Sequence, residues 1–246
     1  MTQVDPSRLP DLTDLWQQTL GWQPEPWQQE LFQQLYEQIL AGNRQLNLTR
    51  ITTPEEFWEK HLWDSLRGIF PAIPLPATGS LLDIGTGGGF PGVPIALVQP
   101  ACTVTLLDST RKKIAFLEQV RQALNLTNVK TLVDRAEALG QQAHYREQYD
   151  RVTLRAVAPA TVCAEYALPL LRLGGVAILY RGQWTVEEEA SLQKAIEILG
   201  GTIAAVEAFT TPLTRGVRHC LYLQKVAPTP AEFPRDIGLP TQHPLG

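Results

Sequence analysis

Residues Leu81–Gly92 read LLDIGTGGGFPG, with four glycines in five positions and Asp83 two places ahead of the first. Glycines at this density let bare backbone adopt positive φ and approach a ligand closely. Three chemistries use such a loop. A triphosphate-binding loop ends in Gly-Lys-Ser/Thr, which is absent here, and that excludes the usual nucleoside triphosphate cradle. A dinucleotide site needs G-x-G-x-x-G, and Gly87, Gly89 and Gly92 have that spacing. The third pattern is D-x-G-x-G-x-G, met by Asp83, Gly85, Gly87 and Gly89.

The third pattern resembles motif I of S-adenosylmethionine (AdoMet)-dependent methyltransferases. A fixed anion at Asp83 would repel a pyrophosphate and suits a sulfonium ligand that also carries an ammonium group. A second carboxylate, Asp108 in the stretch VTLLDST, ends the next predicted strand, 25 residues after Asp83. It has acceptor capacity for both hydroxyls of a ribose, in NAD and in AdoMet alike. Ser109 and Thr110 complete that turn, and Thr110 reads as the N-cap of the helix beginning RKKIAFLEQV. In a methyltransferase the loop DRAEAL (Asp134–Leu139) would lie beside the adenine, with backbone groups at Ala136 and Glu137 facing its edge.

The segment RVTLRAVAP lacks the Asn/Asp-Pro-Pro-aromatic signature by which amino-nitrogen methylators of adenine resemble one another. Carbon-5 pyrimidine methylation needs a cysteine nucleophile. Cys163 follows Val162 inside a predicted helix and reads as core. No residue reads as a strong base or nucleophile, which suits an acceptor atom that is already nucleophilic, such as guanine N7. Catalysis would then rest on alignment and electrostatic field. Arg155 is the positioning candidate, at the methionine end of the cofactor or on nucleic acid; a salt-bridged strand end is the competing reading. Cys102, Cys163 and Cys220 are widely spaced without a CxxC pair, so no metal site is expected.

These residues need a scaffold. From Ser80 onward, strands at 80–84, 103–107, 129–133, 151–154, 176–180, 202–208 and 220–226 alternate with helical stretches at 91–98, 110–124, 159–173 and 187–199. This alternation predicts an α/β fold with a mostly parallel seven-stranded sheet covered on both faces, its last two strands pairing antiparallel. The arrangement resembles the class I methyltransferase (Rossmann-like) fold. Before it, Trp27, Leu31, Leu35 and Ile39 recur every four residues on one helix, stopped by Gly42-Asn43. A second helix opens at TPEEFWEKHLWDSLRGIF, with Thr53 as N-cap and Glu56 closing a capping box. The proline-rich stretch Phe70–Gly79 reads as a linker. The expected organisation is an N-terminal helical extension (1–76), a methyltransferase domain (77–226) and an extended tail (227–246) with five prolines.

Net charge is −4, against a protein that coats nucleic acid, yet residues 108–155 carry nine Lys/Arg against six Asp/Glu. A local basic face is therefore expected. The first residues carry no basic and apolar leader, no apolar run is long enough to span a bilayer, and a cytoplasmic location is expected.

Taken in chain order, NLTRI (47–51), HLWDSL (61–66), LLDIGTGGGFPGVPIA (81–96), LLDSTRKKIAFL (106–117), RAEAL (135–139), LRAVA (154–158), YRG (180–182) and Arg218-His219 resemble the RsmG (GidB) family of 16S rRNA guanine-N7 methyltransferases. The resemblance implies AdoMet contacts at Gly85, Phe90, Asp108–Thr110, Ala136, Glu137 and Arg155, and a guanine of 16S rRNA as acceptor. It also implies rRNA or a small-subunit particle as partner. Arg111, Lys112, Lys113, Arg215, Arg218 and His219 are candidates for RNA phosphates, and a monomer is the default. Two positions depart from the family: Leu154 stands where serine is usual and Arg181 where lysine is usual, so no specific role is carried over to position 181. The residues alone leave two rivals, a noncatalytic rRNA-binding assembly factor on this fold and an NAD-dependent oxidoreductase. The intact Asp83–Gly89 loop and Asp108 weigh against the first.

Overall fold

The computed structural model describes residues 8–70 and 78–246. Five strands, β1 (Ser80–Ile84), β2 (Thr103–Asp108), β3 (Val129–Val133), β4 (Tyr149–Arg155) and β5 (Leu171–Arg181), pair in parallel. The hairpin β6 (Gly201–Thr210) and β7 (Val217–Lys225) completes one seven-stranded sheet of order β3-β2-β1-β4-β5-β7-β6. Strand β7 runs antiparallel to both neighbours and sits between β5 and β6. Strand β5 begins at Leu171, five residues earlier than expected, because the helix before it ends in a tight turn at Leu168–Leu170.

Both sheet faces are covered, as near-continuous apolar strands require. One face packs on the N-terminal helices α1 (Thr13–Leu20), α2 (Pro26–Leu46), α3 (Pro54–Phe57) and α4 (Asp64–Arg67) and on α5 (Gly92–Val98) and α6 (Arg111–Ala123); the other packs on α7 (Ala136–Gly140), α8 (Ala160–Ala167) and α9 (Val186–Ile198). The N-terminal layer thus shares a core with the sheet: Phe32, Leu35, Tyr36 and Ile39 join Leu81, Val104 and Ile178.

Four local expectations are corrected. Trp27 is 51% exposed; the buried stripe of the second N-terminal helix (Pro26–Leu46) is Gln28, Phe32, Gln33, Leu35, Tyr36 and Ile39. The offset follows from the helix start, where Gln28 turns inward as the capping-box partner of Glu25 and leaves Trp27 outside. That helix also runs through Gly42 to Leu46, because Gly42 is a point of close approach rather than a stop: a Cβ there would fall under 3.0 Å from the Phe116 ring of α6. Thr53 sits at the N-cap of the next helix, but Glu56 is drawn to Lys60 at 2.6 Å, one turn on, and the predicted capping box does not form. The tail is not simply extended; it forms one helical turn, Leu239–Gln242, and docks against the domain. The predicted linker, with the boundary between 76 and 77, falls largely on residues 71–77, outside the described residues.

Candidate active site

The chain leaves β1 through Gly85, Gly87 and Gly89, at φ +67°, +59° and +97°, a left-handed series that side chains would strain. It re-enters regular structure at Gly92, the first residue of α5. Here the amide N–H donates to Asp83 Oδ2 at 2.9 Å, and a Cβ would collide with Leu106 and with Asp83. The other oxygen, Asp83 Oδ1, accepts the Thr153 hydroxyl of β4 at 2.8 Å. Asp83 is fully buried. Burial pushes its carboxyl up to about 6, against the opposing pull of the hydrogen bonds from Thr153 and Gly92 and of the Arg155 charge. Asp83 therefore ties the far end of the loop, at Gly92, back to β1 and β4.

Beside the loop, at the carboxyl ends of β1, β2 and β4, lies a cavity of about 330 Å³. Open α/β sheets bind ligands in this position. Six of the predicted cofactor residues line it: Gly85, Asp108, Ser109, Thr110, Ala136 and Glu137. Asp83, Gly87, Phe90 and Arg155 are not among its lining residues. Asp108 is fixed from two sides, by Gly87 N–H on Oδ2 (3.0 Å) and Thr110 N–H on Oδ1 (2.8 Å), with Lys113 Nζ 3.9 Å away. Each carboxylate oxygen keeps a further lone pair for a hydroxyl. Thr110 occupies the N-cap of α6, but its side chain makes no capping bond, and Asp108 organises the turn instead.

Glu137 is 2% exposed and accepts from Arg135 Nε (3.2 Å) and Nη2 (2.7 Å), Tyr166 Oη (3.2 Å) and the Gly238 amide (3.1 Å). Burial alone raises its pKa; the bonds from Arg135 and Gly238 and the Arg135 charge more than reverse this, leaving it below its ordinary value. The donor set fits AdoMet. Asp108 could accept a ribose diol, Ile84, Leu107, Ala136 and Val157 could wall a purine, and a Cβ at Gly85 would fall within 3.0 Å of Val157.

Behind Phe90 the segments NLTRI, HLWDSL and LRAVA meet. His61 stacks on Phe90 with ring centroids 4.2 Å apart and planes 10° apart. Its Nε2 lies 2.8 Å from Thr49 Oγ1 and its Nδ1 3.2 Å from Arg155 Nη2. Arg155 Nη1 donates to Lys60 O (2.7 Å) and Asp64 Oδ2 (3.1 Å). Burial, then the charges of Arg155 and Lys60, push His61 down to about 2, so the ring is neutral. The local helix explains how one segment supplies so many contacts. Trp58–Trp63 is π-helical, and its wider turn buries every residue but Lys60. One of them, Glu59, is fully buried and accepts from Thr214 N (2.9 Å) and Thr214 Oγ1 (2.6 Å), fixing the β6–β7 loop.

That loop carries Arg215, which is exposed; Arg218 is half-buried, its Nη1 on Val217 O (3.0 Å), and His219 Nδ1 lies 2.6 Å from Gly182 O. Arg111 and Lys112 are exposed on the first turn of α6, whereas Lys113 lines the cavity. Arg181 donates to Ala158 O at 2.8 Å and stays inside the domain. Cys163 is buried, which pushes its thiol up to about 11. Among the described residues no helix is long and apolar enough to cross a membrane, and no group of three or more His, Cys, Asp or Glu is placed to hold a metal ion. Glu59, Tyr166 and Thr241 were not predicted from sequence; their partners are remote in the chain, and no local pattern marks them.

A seven-stranded sheet with an antiparallel final strand, and this cavity at its carboxyl edge, define the class I AdoMet-dependent methyltransferase fold. The fold is shared by the 16S rRNA (adenine(1408)-N(1))-methyltransferase of Catenulisporales acidiphilia, solved in a mutant form, with TM-score 0.52 and 18% identity over 62% of this chain and 87% of that one. M. jannaschii TYW2, solved in complex with AdoMet, has TM-score 0.52 and 15% identity over 68% of this chain and 76% of that one. The family model GidB, rRNA small subunit methyltransferase G, matches residues 28–219. Proteins named ribosomal RNA small subunit methyltransferase G from Trichormus variabilis and Nostoc punctiforme are 63% and 60% identical, each over 96% of this chain and 98% of the relative. The chain belongs to the rRNA small subunit methyltransferase G (GidB) family.

Proposed function

We propose that this protein methylates N7 of a guanine in small-subunit (16S) rRNA, with AdoMet as donor. The observation that carries the reading is the joining of Thr49, His61, Asp64, Phe90 and Arg155, from four separate family-like segments, into one bonded cluster behind the glycine loop. Bound AdoMet supplies the electrophilic methyl group. The guanine N7 lone pair needs no proton removed, so the residues orient the reactants and exclude water rather than act as acid or base. This matches a neutral His61 with both ring nitrogens engaged and an Asp83 committed to the loop.

Recognition rests on shape as much as on charge. The net charge of −4 limits nonspecific hold on RNA, and a partly assembled small-subunit particle is the favoured substrate, approached by a monomer in the cytoplasm. Exposed Arg111, Lys112 and Arg215 are the candidate phosphate contacts. Labelled AdoMet offered with naked 16S rRNA and with small-subunit particles tests this. Faster transfer to particles is expected. Equal transfer to both would remove the particle preference, and transfer to neither would remove the activity.

A further inference from the structure

The C-terminal tail reaches the cofactor cavity. Arg146 anchors its first part, with Nη1 on Phe233 O (2.7 Å) and Nη2 on Thr229 O (2.8 Å). Arg235 then forks onto the fully buried Glu165, Nε to Oε1 at 2.9 Å and Nη2 to Oε2 at 2.6 Å. Beyond these anchors Gly238, at φ +87°, turns its amide onto Glu137 Oε1 at 3.1 Å. The helical turn Leu239–Gln242 follows and sets Thr241 in the cavity wall.

We propose that Gly238–Thr241 form part of the AdoMet-binding site, completing the wall on the α7 side and holding Glu137 in register. The inference rests on the reading of this cavity as the AdoMet site. Without the tail, Glu137 loses one of its backbone donors and the wall opens to water, so the cofactor and its demethylated product both bind more weakly. The tail's hold on the cavity does not depend on RNA.

Calorimetric titration of AdoMet into the full chain and into a chain ending at Ile237 tests it. The shorter chain keeps both the Arg146 and the Arg235–Glu165 anchors. A Kd raised about tenfold or more, with cooperative unfolding retained, is the expected result. Equal affinity in the two chains would overturn the role of the tail and leave the cofactor reading standing. Absence of binding by the full chain would overturn the cofactor reading and this inference with it. Hydrogen exchange on the intact chain decides independently of any variant's folding: saturating AdoMet should slow exchange at the Leu239, Gln242 and His243 amides, and unchanged rates there would overturn the proposal.

Discussion

Arg155 Nη1 and Asp64 Oδ2 lie 3.1 Å apart, which ties the end of β4 to the helix Asp64–Arg67 of the N-terminal layer. Both side chains are largely buried. Burial raises the Asp64 carboxyl, and the charge and hydrogen bond of Arg155 oppose the rise. Arg155→Ala would leave that carboxyl and Lys60 O without their donor, and should cost about 3–5 kcal/mol. Arg155→Lys keeps the charge without the planar fork and should recover only part of that stability. Urea unfolding of the two variants measures both.

Asp83 should matter through the loop it braces. Asp83→Ala removes the acceptor for the Gly92 amide and the Thr153 hydroxyl. Each buried donor left unpaired costs about 1–3 kcal/mol. AdoMet affinity should fall along with stability, whereas Asp83→Asn retains an acceptor and should lose less of each. Thermal unfolding and calorimetry on the same preparations read the two effects.

Gly42 tests the seam between the N-terminal layer and the domain. Gly42→Ala improves intrinsic helix propensity by about 1 kcal/mol, yet its methyl group would enter the Phe116 ring. Overpacking of about 1–3 kcal/mol should outweigh the gain. Adding Phe116→Leu should return part of the stability, a coupling that a double-mutant cycle detects.

His61 should shape the acid limb of stability. Its folded pKa of about 2 lies below the ordinary 6.5, so the unfolded chain holds the extra proton between those values. Its contribution is full above pH 6.5 and is lost as pH falls toward 2. Asp83 acts oppositely: its folded pKa of about 6 lies above 3.8, and its contribution is lost as pH rises through 6. Relative to the parent, His61→Gln should therefore lose about 2 kcal/mol less between pH 7 and pH 5, as measured by urea unfolding at the two pH values.

Arg111 and Lys112 are exposed on the first turn of α6, while Lys113 faces the cavity beside Asp108. Charge reversal at Arg111 and Lys112 alone should weaken rRNA binding and lower its salt slope by about one for each phosphate no longer neutralised. AdoMet affinity should stay unchanged. A parallel fall in both would contradict a separate basic face.

The parts of the site that were legible in the sequence are local ones. Asp108 ends a strand before a helix, the glycines follow a strand, and both positions can be read from chain order alone. Asp83 was legible as a residue but not in its role, because its partners come from α5 and β4. Trp27 misled because the apolar repeat every four residues has no knowledge of where a capping box turns Gln28 inward. Gly42 misled because a glycine that makes room for Phe116, in a helix some seventy residues on, looks like a helix stop. The tail was legible as proline-rich but not as a wall of the cavity, since Arg146 and Glu165 hold it from far up the chain.

The most direct test of the central claim is the identity of the methylated atom. Small-subunit particles incubated with labelled AdoMet and this protein should acquire one label, and chain cleavage specific for 7-methylguanine should map it to a single guanine of 16S rRNA. Label on any other atom or base, or none on rRNA, would contradict the account.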